Sequence, residues 1–222
     1  MPINNKTVLA IIPARQGSRR CPDKNITLYR GRTLMEWAVL HAQWSEYIDT
    51  ICISSDSDEI LKYAIPPIIR IKRPAHLSTD IASSESVIVH ALYSCNTLGE
   101  NIVPFHDIFV LLQPTSPLRT PNDIDSCLEL AVKDIMFGGM DTISTVASTD
   151  EARKLNGAVY VSQTLRFLSK LDLDAHTFYK MPNSRSLDIN YPEDFASEFI
   201  TKSAWEPPAL NTEITRVKLR KP

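Results

Sequence analysis

Short, almost wholly apolar runs at residues 7–12, 50–54, 68–72, 107–112, 142–146, 158–161 and 177–181 recur along the chain, with segments of helical period between them. Strands this apolar must be covered on both faces, and strands separated by helices are joined by crossovers. The pattern therefore predicts an α/β fold, a doubly wound, mainly parallel sheet with helices on both faces and ligands at its carboxyl edge. Leu34, Trp37, Ala38, His41 and Trp44 keep an i, i+3, i+4 stripe, and Ile88, Ala91, Leu92, Cys95 and Leu98 keep another. On such a stripe His41 is expected to pack and not to ligate. Further helices are predicted over 57–64, 121–134 and 192–202, the first opened by Ser57 and the last by Pro192-Glu193-Asp194. At 222 residues and 43% apolar, the chain can bury one substantial core and is short for two. Residues 1–204 are read as one domain and 205–222, with Pro207-Pro208 and a basic end, as an irregular extension.

The first apolar run feeds a loop at 13–25 that carries Arg15, Arg19, Arg20 and Lys24 around Gly17-Ser18. Free backbone N–H groups and cations at the carboxyl edge of a sheet suit a polyphosphate. Neither G-x-x-x-x-G-K-[ST] nor a three-glycine dinucleotide fingerprint is present. The cations are instead spread along the loop, so several side chains can wrap a triphosphate. A merely solvated basic loop is the alternative, and the adjoining strand and the Gly-Ser pair argue against it.

Net charge is −2 with both signs well mixed, which advertises no nucleic-acid or membrane partner. Residues 1–6 are polar, and no apolar stretch approaches the ~20 residues that span a bilayer, so the chain reads as cytoplasmic. Cys21, Cys52, Cys95 and Cys127 form no C-x-x-C pair, which predicts neither a zinc site nor a disulfide framework. Cys52, Cys95 and Cys127 are expected in the core, while Cys21 lies in the basic loop, where cations can lower a thiol pKa.

Ile11-Ile12-Pro13-Ala14-Arg15-Gln16-Gly17-Ser18-Arg19 with Pro22-Asp23-Lys24-Asn25 resembles the first signature of the acylneuraminate cytidylyltransferases, also called CMP-sialic acid synthetases. Arg73-Pro74-Ala75-His76-Leu77-Ser78-Thr79-Asp80 with Ala82-Ser83-Ser84 looks like the second, and Leu112-Gln113-Pro114-Thr115-Ser116-Pro117-Leu118-Arg119-Thr120 like the third. Asn156-Gly157-Ala158-Val159-Tyr160 and Asp188-Ile189-Asn190-Tyr191-Pro192-Glu193-Asp194 look like the last two. The blocks follow the family's order from residue 11 to residue 194, and together they are specific where each alone is weak.

The resemblance implies that CTP donates CMP to the anomeric hydroxyl of a nine-carbon α-keto acid sugar, a nonulosonic acid of sialic or legionaminic type, with release of pyrophosphate. Charge develops on phosphate oxygens, so cations must neutralise them. By resemblance Ala14, Arg15, Gly17, Ser18, Arg19, Lys24, Asn25, Arg73 and Ser83 bind the nucleotide, with Arg15, Lys24 and Asp188 catalytic. Gln113, Thr115, Ser116, Asn156 and Tyr160 are expected to face the sugar, the first three on a proline-fixed loop of donors and acceptors. A rigid structural turn remains the other reading of that loop, and an ordinary strand aromatic the other reading of Tyr160.

Mg²⁺ is the implied cofactor, and Asp188 and Asn190 are its expected ligands. The family has two carboxylates there, and this chain replaces the second by Asn190, losing a charge. Asp56-Ser57-Asp58 mimics a D-x-D metal motif, but it precedes a predicted helix and is read as a cap. Lys154 stands where the family usually has arginine, and the stretch from Arg119 to Asn156 is shorter than in its relatives. That stretch in relatives forms an arm against a second subunit, so homodimerisation and sugar specificity both depend on it. These departures support one rival, a nucleotide-binding homologue without turnover; a third reading, a sugar-nucleotide pyrophosphorylase using UTP or GTP, predicts a different base preference.

Overall fold

The computed structural model of the chain describes residues 3–97, 105–139, 142–147 and 155–196. A seven-stranded sheet is built from β1 (Val8–Pro13), β4 (Thr50–Ser55), β5 (Ile69–Lys72), β6 (Ile108–Leu111), β7 (Thr142–Ala147), β8 (Leu155–Gln163) and β9 (Ala175–Met181), in the order β5-β4-β1-β6-β8-β7-β9. Strands β5, β4, β1 and β6 are mutually parallel, β7 and β9 are parallel to each other, and β8 runs antiparallel to both β6 and β7. The expected fold class stands, with a single reversed strand.

Period-two alternation divides each central strand between two cores. Val8, Ala10 and Ile12 join Ile51, Ile53, Ile108 and Val110 on one face, beneath α1 (Leu34–Trp44), α2 (Asp58–Leu61) and α4 (Pro121–Met136). Leu9, Ile11, Cys52, Phe109 and Leu111 face α3 (Ser84–Asn96) and α5 (Thr164–Lys170) on the other. His41 is buried and stacked on Trp37, as its apolar stripe implies, and burial lowers its pKa well below the usual range.

Helix starts are fixed by side chains. Thr33 with Glu36 and Thr120 with Asp123 form reciprocal capping boxes at α1 and α4, and Ser83 caps α3 by accepting from the Ser86 N–H. Ser57, by contrast, makes no side-chain cap bond at α2. The predicted helix over 192–202 is a 3₁₀ turn at Pro192–Ala196, where Asp194 accepts from the N–H groups of Asn190 and Tyr191; residues 197–202 lie outside the described residues, as does the 205–222 extension.

Two elements carried too little periodicity to be predicted. One is α5; the other is the hairpin of β2 (Leu28–Tyr29) and β3 (Arg32–Thr33), turned by Arg30 and Gly31 at φ of 50° and 80°. All four cysteines are free and buried, Cys21 included. No helix among the described residues is long and apolar enough to cross a membrane.

Candidate functional site

Strand β1 is followed on one side by β4 and β5 and on the other by β6, so the direction of winding switches between β1 and β6. A crevice opens at the carboxyl ends of the strands at such a point. It is lined by Pro13, Arg15, Lys24 and Asn25 from the loop after β1, and by Arg73, Leu77, Thr79, Asp80, Ala82 and Ser83 from the segment after β5. Ser84 and Val87 of α3, Leu111 of β6 and Gln113, Pro114 and Thr115 beyond it complete the wall. Residues up to a hundred positions apart in sequence thus share one cleft.

The cations are held individually. Arg73 is buried, donating from Nη2 to the Ser54 carbonyl at 2.5 Å and from Nε to Ser54 Oγ at 3.2 Å, and desolvation lowers its pKa to about 10. The Asn25 amide donates to the Arg15 carbonyl at 3.0 Å, which fixes the main chain beneath that guanidinium. Lys24 Nζ lies 3.4 Å from the Ile189 carbonyl, and burial lowers its pKa while the Asp188 carboxylate opposes that shift. Arg15 and Arg19 pair with opposite oxygens of Asp80. Of the lining side chains, Arg15, Lys24 and Arg73 are cationic and Asp80 alone is anionic, so the cleft is built for a multiply charged anion.

Several candidates occupy other positions. Ala14 is 2% exposed, so its side chain belongs to the core, and its N–H donates to the Ser54 carbonyl. Gly17 and Ser18 are not on the cleft wall, and the Ser18 N–H is spent on Gln16. A Cβ at Gly17 would meet nothing, so this loop does not need its glycine for space. Arg19 projects outward except for its bond to Asp80. In the Asp56-Ser57-Asp58 triplet Ser57 holds the N-cap position of α2 without a side-chain bond and Asp58 lies in its first turn, while Asp56 accepts from the Gln16 N–H at 3.0 Å and Asp58 pairs with Lys72 at 2.8 Å.

The expected sugar-facing set is divided. Gln113 and Thr115 line the cleft, although the Thr115 hydroxyl is itself buried with no hydrogen-bond partner among the described residues, and Ser116 is fully buried behind them, where the turn brings its N–H to the Gln113 carbonyl. Asn156 is used internally, accepting from Thr145 Oγ1 at 2.5 Å and the Ala158 N–H at 3.1 Å and donating to Ser186 Oγ at 3.1 Å. Tyr160 is registered opposite Leu111 and Ser144 and is half-buried; burial, with Asp188 nearby, raises its pKa.

Asp188 is tied to this region by the Ile189 N–H, which donates to the Thr115 carbonyl at 2.8 Å. Its Oδ2 accepts from the Asn190 amide at 2.7 Å, and its buried Oδ1 has no hydrogen-bond partner among the described residues. Asn190 therefore spends its N–H on the carboxylate beside it, a role that the expected ligand pair did not include. Among the described residues no three His, Cys, Asp or Glu side chains gather into a metal site. A carboxylate oxygen without a hydrogen-bond partner still fits Mg²⁺, which is commonly held by one or two carboxylates together with substrate phosphates. Lys154 lies outside the described residues.

Asp80, Arg119 and Gly157 were quoted in the sequence blocks without a role. Chain folding brings Asp80 to Arg15 and Arg19, Arg119 to Ala158, and Gly157 to Gln113.

A family model described as Cytidylyltransferase matches residues 9–157. The chain is 27% identical over 223 residues to a CMP-N,N'-diacetyllegionaminic acid synthase of Legionella pneumophila, spanning 85% of this chain and 93% of that protein. It is 28% identical over 204 residues to a pseudaminic acid cytidylyltransferase of Campylobacter jejuni, spanning 89% of this chain and 79% of that one. Among solved structures, a CMP:2-keto-3-deoxy-manno-octonic acid synthetase complexed with CTP superposes with a TM-score of 0.60 at 14% identity, covering 84% of this chain and 94% of the other. At that identity the likeness is one of fold.

Proposed function

The chain belongs to the cytidylyltransferase family, and on that premise we propose that it transfers CMP from CTP to the anomeric hydroxyl of a nonulosonic acid of sialic or legionaminic type. The hydroxyl oxygen attacks the α-phosphorus, the bond to the β-phosphate breaks, pyrophosphate leaves and the hydroxyl proton is released. The observation that carries this reading is the convergence of Arg15, Lys24 and Arg73 on one cleft with Gln113 and Thr115 beside them. Such a wall binds a triphosphate at its cationic part and a polyhydroxylated acceptor at its amide and hydroxyl part.

In this reading Arg15 and Arg73 bind phosphate oxygens in fixed orientations, and Lys24, half-buried between the first loop and the Asp188 segment, meets the charge that develops as pyrophosphate departs. Asp188, through its unpartnered oxygen, would hold Mg²⁺ together with the phosphates, with Asn190 orienting the carboxylate. Bound there, the ion supplies further neutralisation of phosphate charge.

The test is pyrophosphate release by the full chain with CTP and Mg²⁺ across sialic, legionaminic, pseudaminic and 3-deoxy-octulosonic acids, with UTP and GTP as alternative donors. Release with CTP and one nonulosonic acid is expected. CTP binding with no turnover on any sugar would favour a homologue without activity, a reading that the single carboxylate at 188–190 favours. Turnover with UTP or GTP would overturn the base assignment.

Asp80 gives a second test of the nucleotide site. Because its carboxylate spans Arg15 and Arg19, it lies where an incoming triphosphate would compete for the same donors. Asp80→Asn keeps the size and removes the charge. It is expected to tighten CTP binding by about tenfold, with a steeper salt dependence, in calorimetric titration. Weaker binding would show instead that the carboxylate holds the arginines in their productive orientation.

A further inference from the structure

Gln113 carries the only carboxamide on the cleft wall besides Asn25, and its own side chain has no hydrogen-bond partner among the described residues. Its position must come from packing. The side chain lies against Gly157 of β8, where an added Cβ would stand 3.1 Å from Gln113 Oε1 and 3.8 Å from its Cδ. Gly157 has φ of 73°, a left-handed conformation that any other L-residue adopts at a cost. That bend is what lets β8 pass beneath the amide.

The main chain of the same residue is held by Arg119, which is 1% exposed and donates from Nη1 to the Gln113 carbonyl at 3.2 Å and to the Ala158 carbonyl at 2.5 Å. One guanidinium therefore joins Gln113 to the residue that follows Gly157. Its Nε and Nη2 have no hydrogen-bond partner among the described residues, and Asp123 offsets its charge without bonding to it. A buried cation so placed costs more than an apolar side chain of the same size. What it provides here is a fixed spacing between the loop after β6 and the start of β8.

We propose that Gly157 and Arg119 are positioning residues that set the Gln113 amide for the acceptor sugar, so that acceptor recognition depends on this three-residue unit and nucleotide binding does not. The proposal rests on the reading of Gln113 as an acceptor contact, and the test separates the two. Legionaminic acid is titrated calorimetrically into the full chain with CTP present and metal omitted so that no turnover occurs, and CTP is titrated separately. Gly157→Ala and Gln113→Ala are each expected to weaken sugar binding by about tenfold, with CTP binding unchanged. The double variant is expected to be no weaker than Gln113→Ala alone, since the glycine acts only through the amide.

Multiplying effects in the double variant, or equal weakening of sugar and CTP by Gly157→Ala, would overturn the proposal and leave a local strain effect. If Gln113→Ala left sugar binding unchanged, or the unaltered protein did not bind the sugar, the acceptor reading itself would fall and the proposal with it. Arg119→Lys, which keeps the charge and loses the planar fork, provides a second route should Gly157→Ala not fold. It is expected to weaken sugar binding in the same direction, again with no further loss in the Gln113→Ala background, and an additive loss would count against the proposal.

Discussion

Replacing Lys24 with methionine is expected to lower the turnover number by about 10²–10³-fold, the range seen when one preorganised donor to a developing anion is removed. Lys24 lines the cleft, lies within 3.4 Å of the Ile189 carbonyl and is partly desolvated, so its charge acts through a medium less screening than water. Arg15 and Arg73 remain to hold the triphosphate, so the dissociation constant for CTP should change far less than the rate. Steady-state pyrophosphate release against CTP titration separates the two quantities, and a loss confined to KM would assign Lys24 to ground-state binding. The same burial gives a pH signature. It lowers the lysine pKa below its ordinary 10.5, so the cation, and with it the rate, is lost on the alkaline side at a lower pH than a free lysine would give. Lys24→Arg should move that alkaline limb upward, because a guanidinium stays charged.

Asp123→Ala is expected to cost about 3–5 kcal/mol of folding stability, as does the removal of one partner from a buried ion pair. Asp123 is fully buried and accepts from Arg185 Nη2 at 2.7 Å and Nε at 3.0 Å, and from Thr120 at its N–H and hydroxyl at 2.9 and 2.8 Å. Its loss leaves Arg185 unpaired, removes the reciprocal cap of α4 and takes away the anion that offsets Arg119. At roughly 2–4 °C per kcal/mol for a chain of this size, melting should fall by about 6–20 °C in a thermal scan. The double variant Asp123→Ala with Arg185→Met should recover much of the loss, since the unpaired charge goes with it. A fall of less than about 1 kcal/mol would mean that the pair is hydrated and not structural. Arg185 also closes the 3₁₀ turn Asn183–Arg185 just ahead of Asp188, so activity should decline before global unfolding as this segment loosens.

Much of the fold was legible because its signals are local. Val8 to Ile12 alternate between two cores, so both faces are apolar and the run reads as a covered strand. The helix expected from residue 121 begins at Pro121, where the structure adds the Thr120–Asp123 capping box. The hairpin at Leu28–Tyr29 and Arg32–Thr33 escaped because two-residue strands have no period to detect, and its Arg30-Gly31 turn lacks the Asn-Gly or Asp-Gly signature. In the site, the loop cations were visible as charge beside a strand. Their individual roles were not, since Arg19 projects outward to meet Asp80 while Arg73, from a different loop, lines the cleft with its guanidinium held on Ser54.

The sequence by itself determined the alternation of strand and helix, the apolar faces of the first and third helices and the chemical character of each loop at the carboxyl edge. These depend on periods of two and 3.6 residues and on local composition, signals that close within a few positions. Only the tertiary structure decided which side chains meet: Asp80 between Arg15 and Arg19, Arg119 between Gln113 and Ala158, Gly157 beneath the Gln113 amide, and Arg185 on Asp123. The contacts of Arg119 and Gly157 follow from strand order, in which β6 lies beside β1 and the reversed β8 beside β6, and that order is set by the burial of the whole sheet and not by any one segment.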